Sequence, residues 1–468
     1  MSAGVTTRVS DSALARAIGA RGGEGKALLW SCAYYFLVLT AYYILRPIRD
    51  EMGVAGGVEN LAWLFTGTLA GMLLLHPLYT WIVARLTRRR FIALTYRFFI
   101  ANLVIFYLLL RAAGGDTPDP ARAVWIGRAF FIWTSVFNLF VVSVFWSFTT
   151  DMYRPAQSRR LFGVIAVGGT LGSILGSSIT SALAGTLGAA NLLLVSGLFL
   201  EAAAWAARAL ETREPELAAA AQADVAEGER DRAAVTQPEA KDAVIGGGVA
   251  DGVRHVLASP YLLGIAVVML FFTISSTFLY FQQSQIAKDT FGADSAGRTQ
   301  FFANVDLLVN ALTLVAQVFL TGRVLRWLGV GIGLAFLPAV SLLGFAAIGI
   351  APVLPAVVVL QVLRRVGNFA IQRPAREVLY TVLPRTDKYK SKNFNDTFVY
   401  RLGDQVGAWS ATLIGWLGFG LSGLSWTMVP LSAAWLALAF WLGARYRGLQ
   451  AGAEPAPRPA LEPRPNIA

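Results

Sequence analysis

The chain has 468 residues, of which 56% are hydrophobic and 15% charged, with a formal net charge of +12 and a mean hydropathy of +0.56. That balance places it among membrane proteins and excludes a reading as several soluble domains. One cysteine, Cys32, rules out an internal disulfide, and with only His76 and His255 there is no Cys/His cluster, so neither a metal nor a cofactor is expected.

The polar, Arg-containing segment 1–26 reads as retained, because the first apolar span has no small-residue cleavage site after a short core. Twelve helical spans follow, at 27–48, 60–84, 91–112, 121–150, 159–186, 189–209, 259–287, 298–322, 329–350, 353–380, 393–419 and 424–446. Each is near or above the roughly 20 residues that cross hydrocarbon. Basic residues gather on one side: Arg85, Arg88, Arg89 and Arg90 after span 2, Arg154, Arg159 and Arg160 after span 4, Arg323 and Arg326 after span 8, and the run Arg385 to Lys392. The opposite loops at 186–189, 350–352 and 419–423 carry no charge. The positive-inside rule makes the basic side cytoplasmic, with both termini there, and accounts for the positive charge without a nucleic-acid partner. The lipid bilayer is the expected environment, as a multi-pass protein of a bacterial inner membrane and as a monomer.

Between spans 6 and 7, residues 211–250 are rich in Ala, Glu, Asp and Gln, with three glycines at 246–248. This is a solvated cytoplasmic linker with some helix expected near 215–226. It separates an N-terminal half, 27–210, from a C-terminal half, 251–448, and a Pro-rich tail, 449–468, closes the chain.

The halves repeat. Arg49-Asp50-Glu51-Met52-Gly53 at the end of span 1 parallels Lys288-Asp289-Thr290-Phe291-Gly292 at the end of span 7. Arg85 parallels Arg323, Asn138 of span 4 parallels Asn368 of span 10, and Gly172 and Gly176 of span 5 parallel Gly403 and Gly407 of span 11. Two parallel six-span units imply an axis along the membrane normal and a site where the halves meet. The expected fold is all-α, with twelve transmembrane helices in two six-helix pseudo-repeats, similar to the major facilitators.

Polar residues inside the spans are the functional candidates, since an ionisable group at the bilayer centre costs about 2.5–3.5 kcal/mol on insertion scales and needs a partner or a wet cavity. In span 1, Tyr35, Tyr42, Arg46 and Arg49 share one helical face. Aromatic rings beside fixed guanidiniums suit a planar, anionic ligand, while the plainer reading of Arg46 is an interface anchor whose cation snorkels. In span 10, Gln361, Arg365, Asn368, Gln372 and Arg376 share a face at helical period, with Arg364 beside it. Asp404 of span 11 lies at a depth where it pairs with Arg364 or Arg365 if the two spans form a hairpin, or with Arg401 within its own helix. Arg376 and Glu377, with Lys388, Lys390 and Lys392, read as gate or loop ion pairs. Glu201, Asp306 and Asp404 are the candidate coupling carboxylates, and Asp50 and Asp289 are placed with the gating groups. Gly168, Gly172 and Gly176 fit small-residue helix packing rather than a dinucleotide loop. The nearest P-loop candidate, Ala20–Ala27, lacks the leading glycine and the final Ser/Thr, which argues against a primary pump. No catalytic constellation is present, and no enzymatic activity is expected.

On these residues the chain resembles the ATP/ADP antiporter (nucleotide transporter) family of plastids and obligate intracellular bacteria. The likeness is carried by Ile44-Leu45-Arg46-Pro47-Ile48-Arg49-Asp50, Phe145-Trp146-Ser147-Phe148, Arg160-Leu161-Phe162-Gly163, Ser259-Pro260-Tyr261 and Pro374-Ala375-Arg376-Glu377, followed by Lys388, Lys390, Lys392, Asp396 and Leu402-Gly403. The resemblance implies an alternating-access exchanger of an anionic small molecule, nucleotides included, and carries the family's basic residue of the first helix onto Arg49. Three other charges of that family fall on uncharged or reversed positions here, near Thr134 and on Tyr280 and Asp404. A relative with a different substrate or coupling is therefore expected. The candidate substrate residues are Tyr35, Tyr42, Arg46, Arg49, Asn138, Lys288, Arg364, Arg365 and Asn368. The alternative is a proton-coupled transporter of an amphipathic compound, with Asp404, Asp306 or Glu201 titrating.

Overall fold

In the computed structural model the described residues are 23–85, 88–114, 119–220, 259–320, 329–383 and 394–453, with positions 222, 256–257, 323, 327 and 391–392 between them. The N-terminal 22 residues, most of the 211–250 linker, Arg326, the loop residues Arg385, Lys388 and Lys390, Asn393 and the tail beyond 453 lie outside them.

Among the described residues the chain is helical throughout. In order, α1 is Gly25–Ala55, α2 Leu61–Arg85, α3 Arg88–Ala113 and α4 Pro120–Met152. The next run, Pro155–Glu211, is broken at Gly188, where φ is 72°; its arms are α5 and α6. A side chain is strained at that φ, and the glycine reverses the chain between two spans with no loop at all. Then come α7 (Pro260–Phe291), α8 (Ser295–Phe319), α9 (Gly329–Ile350), α10 (starting at Leu354–Gly367), α11 (Tyr400–Trp416) and α12 (Leu421–Ala453).

Length and apolarity alone select ten membrane-crossing helices. The twelve-span reading is recovered once the α5/α6 run is divided at Gly188 and α11 is counted. That helix is only 17 residues long and carries Arg401 and Asp404, but a π-helical turn, Asn395–Val399, extends it. The starts follow local chemistry. Asp119 accepts the Arg122 amide at 3.0 Å and Asp294 the Gly297 amide at 2.9 Å, capping α4 and α8, and Pro120 and Pro260 occupy first-turn positions where no amide is needed. Helix α1 runs to Ala55, seven residues past the predicted end of span 1, and so carries Arg49 to Glu51 inside the helix. The linker's predicted helix is present at its described start, residues 214–220, with Leu217 buried.

The paired glycines explain the repeat. At Gly172 and Gly176 an added Cβ would run into the backbone of α1 at Phe36 and Thr40, and at Gly403 and Gly407 into α7 at Leu270–Thr273 and Ile274. Thus α5 crosses α1 as α11 crosses α7, each at a small-residue contact.

Three apolar cores organise the bundle. One is drawn from the N-terminal half and Leu217 of the linker, around Tyr34, Phe137 and Phe145, and one wholly from the C-terminal half, around Leu262, Tyr380 and Trp435. The third joins the halves, packing Val54, Val58, Leu61 and Phe131 against Phe278, Phe281, Phe302 and Phe345. It lies at the end where α1 and α7 finish, opposite the charged loops.

Candidate functional site

Polar contacts between the halves fall at that same end. Arg298 of α8 pairs with Glu51 of α1 at 2.7 Å, both nearly fully buried. Ser181 of α5 bonds Asn304 of α8 at 2.5 Å, and the Thr66 hydroxyl donates to Gln405 Oε1 at 3.0 Å and accepts from the Trp409 indole at 3.1 Å. Trp63 meets Trp409 edge-on at 4.8 Å. At the charged-loop end several bonds of the described residues lie within a half. Arg160 and Gln157 hold the buried Glu24 at 2.9 and 3.0 Å, Lys392 pairs with Glu377 at 2.6 Å, and Arg376 sits 3.7 Å from Asp396.

Between these ends lies a cavity of about 310 Å³ walled by α1, α2, α4, α7 and α11. Its polar lining includes Arg49, Ser135 and Asn138 from the N-terminal half and Ser276, Arg401, Asp404 and Gln405 from the C-terminal half, with Phe65, Phe131, Tyr280 and Tyr400 supplying rings. Each half brings one guanidinium already bound to a carboxylate. Arg49 donates to Asp50 Oδ1 through Nε at 3.0 Å and Nη2 at 2.5 Å, and lies over the Phe131 ring at 5.0 Å. Tyr280 crosses from the other half to donate to the same Asp50 oxygen at 3.1 Å. Arg401 pairs with Asp404 one turn along α11 at 3.3 Å.

Asp306 of α8 holds a second cluster. Arg365 of α10 and Arg46 of α1 converge on its Oδ1 at 2.5 and 3.1 Å, and its Oδ2 is buried without a partner. Arg46 is therefore part of an inter-half bridge rather than a snorkelling anchor. Arg364, next in sequence to Arg365, points into the C-terminal half and is 2% exposed. Its Nη2 donates to the hydroxyls of Ser275 and Ser276 at 2.8 and 3.0 Å, and its guanidinium lies 5.7 and 5.9 Å from the rings of Phe345 and Trp435. No carboxylate among the described residues pairs with it. Of these groups Arg49, Arg401 and Asp404 line the cavity, while Arg46, Arg364, Arg365, Asp50 and Asp306 lie on the helices behind its wall; taken together, these described residues set five guanidiniums against three carboxylates, two positive charges more than negative.

Several sequence expectations are corrected by this geometry. Of its two expected partnerships Asp404 makes the one within α11, with Arg401 one turn away, because Arg364 and Arg365 are committed to other helices. The shared face assumed for Gln361 to Arg376 is broken by a π-helical turn, Asn368–Gln372. Pro374 has no amide to continue the α-helical ladder, and the wide turn inserts a residue of register. Asn368 sits in that turn, and Gln361 donates instead to Gln283 of α7 at 2.6 Å. Tyr35 is stacked on Phe145 at 4.2 Å inside the N-terminal core, and Tyr42 is buried against Tyr43; neither lines the cavity. Lys288 lies half-exposed beside Glu59 at 3.8 Å, and Asp289 accepts from Gln285, so the Arg49-Asp50 match at the end of span 7 does not bring its charges to the site. Glu201 faces outward, paired with Arg97 at 3.2 Å and taking a bond from Trp205. The residues missed by sequence are Phe65, Thr68, Phe131, Ser135, Ser276 and Gln405. The Ser275-Ser276-Thr277 run in an otherwise apolar span was the available signal.

These features define a two-half helical transporter with a central cavity. Residues 27–384 match the Major Facilitator Superfamily, and the chain belongs to that family. Among solved structures, the nucleoside transporter NupG is similar at 12% identity over 91% of this chain and 100% of the other, with a TM-score of 0.51. A point mutant of that nucleoside transporter is similar at 10% identity over 92% and 100%, with a TM-score of 0.52. At such identities the likeness speaks for the fold. No curated protein matches the sequence.

Proposed function

We propose that this secondary transporter carries a small metabolite with a phosphate or carboxylate group, of the class that includes nucleotides, by rocking its halves about the cavity. The observation that carries this reading is the surplus of two guanidiniums among the described ionic groups in and behind the cavity wall, within apolar spans where an uncompensated cation is costly. A substrate anion supplies the missing charge. Arg49 and Arg401 are held ready by Asp50 and Asp404, and a bidentate anion competes with those carboxylates for the same donors. The phenyl rings of Phe65 and Phe131 suit the organic part of such a solute. A volume of about 310 Å³ stands at the small end of ligand pockets, roughly 300–1,000 Å³, which favours one ring or sugar over an extended molecule.

The resemblance to ATP/ADP antiporters agrees with an anionic substrate and departs at the site itself. Tyr280 donates to Asp50, and Asp404 neutralises Arg401, at two of the positions where that family carries other charges. Strict ATP/ADP exchange is thus one alternative for this chain, beside a different substrate or coupling. By the positive-inside rule we read the charged loops as facing the cytoplasm of a bacterial cell, and the contacts between halves at the opposite end support an inward-facing reading of this state.

Purified chain in liposomes preloaded with unlabelled phosphorylated or carboxylated metabolites, nucleotides among them, tests this. Saturable uptake of at least one labelled anion, accelerated by the same class inside, is the expected result, and no uptake across the panel overturns the reading. A second reading, proton coupling at Asp404, is favoured by that carboxylate lining the cavity with one ion-pair partner at 3.3 Å. Accumulation driven by a pH gradient with empty liposomes, and lost in Asp404→Asn, selects it.

A further inference from the structure

Ser275 and Ser276 bond the same guanidinium nitrogen but spend their own protons differently. Ser275 donates to the Phe271 carbonyl at 2.7 Å. Ser276 accepts from Arg364 at 3.0 Å, lines the cavity, and finds no acceptor for its proton among the described residues. Of the other hydroxyls of the wall, that of Tyr400 also has no acceptor among the described residues but takes no bond from a guanidinium, and the rest are occupied or shut away. Ser135 donates to the Phe131 carbonyl at 2.9 Å and Thr277 to that of Thr273 at 3.1 Å, while Tyr280 donates to Asp50, and the Thr68 oxygen is fully buried.

A hydroxyl has one proton and two lone pairs. When a cation donates to one lone pair, the O–H is polarised and becomes a stronger donor. Arg364 keeps its charge in any environment proteins offer, yet at 2% exposure it does not touch the cavity itself. Its Nη1 is buried without a partner, so its charge is satisfied neither by a carboxylate nor by a full set of acceptors.

We infer that Ser276 is the hydroxyl that recognises the substrate's phosphoryl or carboxylate oxygen, with Arg364 behind it as the positioning residue that orients and polarises the donor. This deepens the anionic reading above and rests on it. The arrangement separates two tasks. Arg49 and Arg401 exchange partners with the substrate, whereas the Arg364–Ser276 pair needs no internal carboxylate to leave and so discriminates oxygen-bearing anions from the outset. A neutral solute, or a cation, leaves the polarised hydroxyl and the charge behind it without an answer.

The full chain in detergent micelles, titrated with inorganic phosphate while thermal unfolding is followed, tests the assignment. Wild type is expected to be stabilised in a saturable way. Ser276→Ala, which takes an acceptor from the buried Arg364, should unfold at a lower temperature without phosphate and, measured from its own phosphate-free baseline, need about tenfold more phosphate for the same shift, the loss of one hydrogen bond to a charged group. Ser276→Thr, which keeps the hydroxyl, should return to near wild type. Arg364→Gln should weaken phosphate binding as well, and adding Ser276→Ala to it should cost less than tenfold, because the two act as one unit. Ser276→Ala binding phosphate as wild type does, or Ser276→Thr binding as weakly as Ser276→Ala, overturns this inference and leaves the anionic reading standing. A wild type indifferent to phosphate and to organic phosphates and carboxylates overturns both.

Discussion

The two ends of the bundle are built from the same helices but bonded in opposite ways. Where α1 and α7 finish, apolar side chains of both halves share one core, and Glu51–Arg298, Arg46–Asp306 and Thr66–Gln405 cross the boundary. At the charged-loop end each half keeps its own core, and Glu24–Arg160 and Glu377–Lys392 stay within a half. Among the described residues, one end is thus a joint, while at the other each half has a core and ion pairs of its own. A rocking motion that exposes the cavity to the far side has to open the joint and bring the halves together at the other end, so contacts that close this state resist transport as well as support it.

The joint is broken most severely at Asp306. Asp306→Ala leaves Arg46 and Arg365 without their shared counter-charge, and removing one partner from a buried ion cluster costs about 3–5 kcal/mol. Thermal unfolding of the purified protein should show the loss, and uptake should fall with it. Next come the glycine crossings that hold each half rigid. Gly172→Ala should destabilise by about 1–3 kcal/mol through forced separation of α1 and α5, and Gly403→Ala should do the same for α7 and α11. An effect confined to one of them would mean that the halves are not built alike. The smallest effect is expected at Lys288. As a half-exposed cation 3.8 Å from Glu59, it contributes about 0–1 kcal/mol as a surface pair. Lys288→Met should leave both stability and substrate concentration dependence unchanged; a raised half-saturation concentration in the uptake assay would return this lysine to the site.

The span pattern, the doubling at 230–239 residues and the glycine crossings were legible in the sequence because each depends on local composition at a fixed period. Arg49 and Asp404, which line the cavity, were legible as candidates for a related reason: an ionisable group in an apolar span has few places to go. Partnership between helices was not legible. Asp306 collects Arg46 and Arg365 from two other helices, which no spacing announces. The fate of Arg364 and Arg365 differs although they are adjacent, because a step of about 100° around the helix turns one toward α8 and the other toward α7. The face from Gln361 to Arg376 failed at the Asn368–Gln372 turn, where Pro374 two residues on forces a wider ring than the helical period assumes. Tyr35 and Tyr42 share Arg49's face by count, yet the close approach of α5 and the neighbouring Phe145 and Tyr43 absorb them.

The surplus positive charge around the cavity makes one comparison decisive: counterflow of a phosphorylated metabolite against its dephosphorylated parent, measured in the same liposomes with wild-type chain. Across pairs such as a nucleoside monophosphate and its nucleoside, or glycerol phosphate and glycerol, at least one phosphorylated member should be transported and its neutral parent excluded, with Arg364→Gln eroding the difference. Transport of the neutral parents in preference to every phosphorylated or carboxylated partner would contradict the account.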